Sequence, residues 1–169
     1  HKREGNVYFL EGMAPQYGFQ LQSLAPVLVG GEMVNSSRIR SLIAEGAYDR
    51  ATALLGHELE LSGQVVHGKG MGRKLGFPTI NIKLPPEKIV PKPGVYAAYS
   101  LIGSDKRHGM MYIGETPQPE FDLEVNLFDF TGNLYGQTVR VFPTAYLRPP
   151  MRFAQDSELI DHPEHIFPK

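Results

Sequence analysis

The 169-residue chain contains no cysteine, which excludes disulfides and thiolate metal sites and is compatible with a reducing compartment. It carries no excess of either charge. Its 17 Lys and Arg stand against 18 Asp and Glu, too even a balance for a dedicated polyanion binder whose affinity comes from counterion release. Phosphate recognition is therefore expected to be local, and nucleic acid is not an expected partner. No stretch approaches the apolar length of a membrane span, and the opening "HKREGNVYFL" lacks the ordered regions of a secretory signal. The expectation is a soluble, cytoplasmic protein with no membrane partner. Internal repeats and low-complexity segments are also missing, and the length suits one domain, or one domain with a small appendage.

The first third of the chain and the remainder follow different periodicities. "FQLQSLAPVLV" is a short strand signal; after it, Ile39, Leu42 and Ile43 share one helical face, and Ala51, Leu54 and Leu55 share the next. Asn35, Ser36 or Ser37 can cap the first of these helices, and Gly46 and Gly56 stand where helices end. From Glu58 onward, helical spacing stops. "LELSGQVVHG", "FPTINIKL", "GVYAAYSLI", "MMYIGE", "LEVNLFDF" and "VRVFPTAYL" are short, mostly alternating segments bounded by Gly, Pro and Asn, and "TGNLYG" is a hairpin turn signal. Six such strands without crossover helices predict an antiparallel sheet closed into a small barrel, since closure removes exposed edges. "SELIDHPEHIFPK" predicts one short C-terminal helix that stops near Pro163.

"GKGMGRKLGFPTINI" holds the most informative chemistry. Gly68, Gly70, Gly72 and Gly76 free the backbone to bring N–H groups close to a ligand, and Lys69, Arg73 and Lys74 add positive charge, a combination suited to polyphosphate. The Walker spacing is absent. Taken alone, such a loop is more often a solvated hairpin. Thr79 and Asn81, two apart on a strand, point to one face and offer neutral oxygens of the kind Mg²⁺ accepts; an ordinary β-former and a turn cap would look the same. In "DLEVNLFDF", Leu123, Val125, Leu127 and Phe128 read as wall residues, which leaves Glu124, Asn126 and Asp129 on other surfaces. Periodicity alone favours a solvent-facing Glu124. Tyr112, Tyr135 and Tyr146 read as wall or core aromatics.

These segments, with "PGVYAAYS", "YIGETP", "LEVNLFDFTGNLYG" and "YLR", resemble the riboflavin kinase domain of the bacterial bifunctional riboflavin kinase/FAD synthetase family from about Leu59 to Phe153. The resemblance implies a mainly β fold, a six-stranded antiparallel barrel with a short C-terminal helix. It also implies Mg²⁺-dependent transfer of the γ-phosphoryl group of ATP to the 5′-hydroxyl of riboflavin, with riboflavin and ATP as the small-molecule partners. Glu124 would be the base, and Thr79 and Asn81 would bind the metal. Gly68, Lys69, Gly70, Gly72, Arg73, Lys74, Pro78, Thr79, Asn81 and Arg148 would contact nucleotide or flavin.

"NSSRIRSLIAEG" resembles the end of the same family's adenylyltransferase domain, where Ser and Arg contact ATP phosphates. Residues 1–40 are accordingly expected to be the last portion of that Rossmann-like domain, 41–57 a helical linker and 58–169 the kinase barrel. The two-histidine motif of nucleotidyltransferases, His-x-Gly-His, is absent, and His57 and His67 are isolated. Three stretches depart from the family pattern: "IGETPQPEFDLEV", Asn126 where many members have His, and "RPPMRF". Arg148, Arg152 and Phe153 would line the flavin side. His162 and His165 lack a third ligand. A non-catalytic flavin- or nucleotide-binding barrel is the alternative reading.

Overall fold

The computed structural model describes residues 6–68, 77–115 and 122–151, grouped into two compact units, His1–Val34 and Asn35–Lys169. The first unit holds helix α1 (Val7–Tyr17) and a minimal hairpin of β1 (Leu28–Val29) and β2 (Glu32–Met33). Asn6 starts α1 by accepting the Phe9 N–H at 2.9 Å, and Gly18, in left-handed backbone, ends it. This helix was not legible from apolar spacing, because none of its residues is buried. The expected strand over 19–29 shrinks to two residues, whose turn depends on positive φ at Gly30 and Gly31.

The second unit begins with α2 (Ser36–Glu45) and α3 (Tyr48–Leu55), with buried residues on the expected faces. Asn35 is the cap: its side chain accepts the Arg38 N–H at 2.8 Å, so Ser36 is the first helical residue. Gly46 and Gly56 end the two helices in left-handed conformation, as the sequence predicts.

Six strands follow: β3 (Leu61–Val66), β4 (Thr79–Lys83), β5 (Gly94–Ile102), β6 (Asp105–Ile113), β7 (Leu123–Leu127) and β8 (Thr138–Arg148). Their order is β3-β4-β7-β6-β5-β8, every pair is antiparallel, and β8 returns to β3 to close the barrel. Leu61, Val65, Ile82, Met111, Leu123, Val125, Val139 and Val141 are essentially inaccessible and fill the interior. Burial of a side chain of this size contributes roughly 1.5–3 kcal/mol. Tyr48 of α3 meets Tyr96 of β5 edge-on, with their hydroxyls 3.0 Å apart, which ties the helices to the barrel. Pro143 can sit inside β8 because the ladder shifts register there: Ala97 faces Ala145 while Ala98 faces Pro143, leaving Thr144 as the extra residue.

Phe128 departs from the expected wall pattern. The chain turns after Leu127, with Asp129 at φ 50, and Phe128 is 43% exposed. The expected C-terminal helix, with Arg152, Phe153, His162 and His165, falls outside the described residues.

Candidate active site

Side chains that oppose one another across a ladder share a face, so the register alone assembles the site. Thr79 faces Asn126 and Asn81 faces Glu124 between β4 and β7. The residues that alternate with them, Ile80, Ile82, Leu123 and Val125, belong to the interior side. Thr79, Asn81, Glu124 and Asn126 thus gather on the outer face of two neighbouring strands. Glu124 continues the row to Tyr112 on β6, then Val95 on β5 and Arg148 on β8.

This outer face is not uniformly wet. Val95 and Met110 are buried there under Phe77 and Tyr112, and Asn81 and Asn126 are only 7% and 6% exposed. Glu124, half-buried among them, accepts a hydrogen bond from Oγ1 of Thr79 at 3.1 Å. Burial pushes its carboxyl above the usual carboxylate range, and the Thr79 bond partly offsets the shift. Tyr112 is raised as well, by burial first and then by the Glu124 charge. Burial draws the Arg148 guanidinium below its usual value, though an arginine still stays protonated.

A cavity of about 290 Å³ opens beside Thr79 and Asn81, near the lower end of small-molecule sites. Gly68, Pro78 and the turn from Phe130 to Tyr135 also line it, and Val65, Ile80, Val125 and Leu127 give it apolar wall. Tyr135 of this lining stacks on His67 with ring centroids 3.9 Å apart. Tyr135 is 49% exposed and so is not a core aromatic; Tyr146 packs edge-on against Tyr96, and Tyr112 is the half-buried residue described above.

Gly68, at the head of the Gly-rich segment, has a role that its flexibility did not suggest. A Cβ there would lie 2.5 Å from Cγ and 2.8 Å from Oδ1 of Asn81. The residue is small so that the Asn81 amide can occupy the space beside the backbone. Lys69, Gly70, Gly72, Arg73 and Lys74 lie outside the described residues. Pro78 accepts a hydrogen bond on its carbonyl from Asn126 at 2.9 Å, a contact that connects the two motifs and is invisible in either alone. Asp129 sits in the exposed turn after β7.

Among the described residues no group of three or more His, Cys, Asp or Glu could hold a metal. The donor set suits instead a hard cation that takes few protein ligands, for which the Thr79 hydroxyl and the Asn81 amide oxygen offer neutral oxygens on one face.

Comparison with known proteins bears on the family. The family model described as Flavokinase, riboflavin kinase, matches residues 55–165. Over 161 residues the chain is 36% identical to the bifunctional riboflavin kinase/FMN adenylyltransferase of Escherichia coli strain K12, covering 93% of this chain and 51% of that protein. The corresponding protein of Pseudomonas fluorescens is 35% identical over 156 residues, with 90% and 50% covered. The chain thus spans about half the length of the curated relatives it matches. A crystal structure described as a macrolide-efflux protein from Streptococcus pneumoniae superposes with a TM-score of 0.72 at 34% identity, covering 83% of this chain and 47% of that one. No described helix of the present chain is long and apolar enough to cross a membrane.

Proposed function

The chain belongs to the riboflavin kinase family, and on that premise we propose that it transfers the γ-phosphoryl group of ATP to the 5′-hydroxyl of riboflavin, releasing FMN and ADP. The observation that carries this reading is the half-buried Glu124 carboxylate, bonded to Thr79 and directly opposite Asn81. Phosphoryl transfer asks little covalent chemistry of a protein; it asks for positioning, charge stabilisation and one group that accepts the hydroxyl proton. Glu124 is that group. Its raised proton affinity, caused by burial, makes it a stronger base than an exposed glutamate.

The two substrates approach Glu124 from opposite sides. The nucleotide lies on the β3–β4 side, in the cavity lined by Gly68, Thr79, Asn81 and the Phe130–Tyr135 turn. Pro78 forms part of the rim. Thr79 and Asn81 would hold Mg²⁺, which when bound supplies positive charge against the phosphate oxygens. Riboflavin lies on the β6–β5–β8 side, over Tyr112 and the Val95–Met110 patch, with Arg148 at the far end of the row. Neighbouring strands are about 4.8 Å apart, so Glu124 and Arg148, three strands apart, span roughly 14 Å, enough for a ribityl chain and part of a fused ring system.

On the same reading residues 1–40 correspond to the last portion of a Rossmann-like adenylyltransferase domain, and a protein of the relatives' full length would also convert FMN to FAD. Support comes from the relatives, which carry both names and extend to about twice this length.

Incubation with riboflavin and MgATP, each component omitted in turn, followed by chromatographic separation of flavins, tests the reading. FMN should form only with all components present. Flavin or nucleotide binding without turnover would favour a non-catalytic barrel.

A further inference from the structure

Strand β4 is held at both ends by side chains that flank Glu124. At its exit the Asp122 carboxylate accepts the Leu84 N–H at 2.8 Å and lies 3.4 Å from Nζ of Lys83. At its entrance Nδ2 of Asn126 donates to the Pro78 carbonyl at 2.9 Å. Proline has no N–H, so that carbonyl is the only backbone group through which residue 78 can be hydrogen-bonded in place. The paired register starts one residue later, at Thr79 opposite Asn126. The Asn126 side chain therefore adds a rung just before the paired register begins. With Asn126 only 6% exposed, the bond is shielded from competing water.

The next residue, Thr79, donates to Glu124. We propose that Asn126 is a positioning residue for phosphoryl transfer, its amide clamping the Pro78 carbonyl so that the Thr79 hydroxyl is presented to Glu124. This role rests on the reading of Thr79 and Glu124 given above. Asn126 touches neither reacting group; it acts through the peptide that carries Thr79. A shift of about 1 Å in such a constellation can cost on the order of 10²-fold in rate, so one lost rung at the strand entrance has kinetic consequences.

The test compares Asn126→Leu, similar in size but without a donor, with Asn126→His, whose Nδ1–H falls near the place of Nδ2. The readouts are kcat, the KM of riboflavin, the Kd of MgADP by calorimetry, and Tm. Asn126→Leu should lower kcat about tenfold and weaken MgADP binding several-fold, with the KM of riboflavin changed by less than about twofold. Asn126→His should recover kcat to within about threefold of the parent. A fall in Tm alone would mark a purely structural bond and overturn the proposal. Leu and His variants equally impaired, or a Leu variant with unchanged kcat and MgADP affinity, would overturn it too. If Asn126→Leu does not fold, Asn126→Ser, too short to reach the carbonyl, takes its place with the same readouts and expectations. Normal Asn126→Leu kinetics in an enzyme that Glu124→Gln disables would reject the clamp alone, whereas failure of the parent chain to make FMN would reject the functional reading.

Discussion

Gly68 and Asn81 are in steric contact: the first glycine of the Gly-rich segment leaves the space that the Asn81 amide fills, and a Cβ would intrude to 2.8 Å from Oδ1. Two features that look separable in sequence, a flexible loop and a rigid strand, share one packing constraint.

Gly68→Ala should displace Asn81 rather than unfold the barrel, because the obstructing atoms belong to a side chain. Overpacking of this kind costs about 1–3 kcal/mol, and a comparable loss in nucleotide affinity raises the KM for MgATP roughly tenfold. Steady-state kinetics against circular dichroism melting checks the split; a variant with normal MgATP dependence would remove Gly68 from the nucleotide site.

Thr79→Val keeps the β-branched shape and Asn81→Leu keeps the volume, while each removes one oxygen. Both should raise the Mg²⁺ concentration needed for half-maximal rate well beyond any change in melting temperature. If both variants phosphorylate riboflavin normally at limiting Mg²⁺, the metal is held elsewhere.

Glu124→Gln should lower turnover by about 10²-fold or more, with substrate binding largely retained. The pH dependence has a defined sign. Burial makes the native state hold the Glu124 proton more tightly than the unfolded chain does. Activity therefore falls on acidification at a pH above the ordinary glutamate range. The stability linkage runs the other way: the group's contribution is most favourable below its ordinary pKa and is lost as pH rises through the raised one. Glu124→Gln should then melt higher than the parent at alkaline pH, with the gap closing toward acid. A parent and variant whose melting difference is constant with pH would contradict the burial of Glu124.

The purified chain should make FMN and no FAD. Adenylyl transfer needs groups that stabilise departing pyrophosphate, and the His-x-Gly-His motif occurs nowhere in these residues. Ser36, Ser37, Arg38 and Arg40 supply phosphate contacts at best. FAD appearing from FMN and MgATP at a rate comparable to FMN formation would place a complete second site within the chain.

Much of the barrel was legible because its signals are local. Alternation in "LSGQVV", "TINIK" and "LEVNL" needs only a period of two, and the glycines after α2 and α3 stop helices for reasons of backbone sterics. The reading failed at the strand's edge: Phe128 is apolar but breaks the alternation of Leu123, Val125 and Leu127, and it is exposed because the chain has already turned. Helix α1 has no buried stripe to announce it, and an asparagine cap is too common to identify a helix alone.

The sequence by itself determined the strands, the pairs Thr79 with Asn81 and Glu124 with Asn126, and through them the family resemblance. Each is a matter of residues two apart on one chain segment. Only the tertiary structure decided that the pairs meet. Register between β4 and β7 depends on how Ile80, Ile82, Leu123 and Val125 pack inside a closed barrel, and a slip of one residue would turn one pair away from the other. The same closure buries Val95 and Met110 on the outer face, raises the proton affinity of Glu124, and brings Asn126 to the Pro78 carbonyl. The contacts of Glu124 with Thr79 and of Asn126 with Pro78 join residues more than 40 apart in the chain, where no local pattern can carry them.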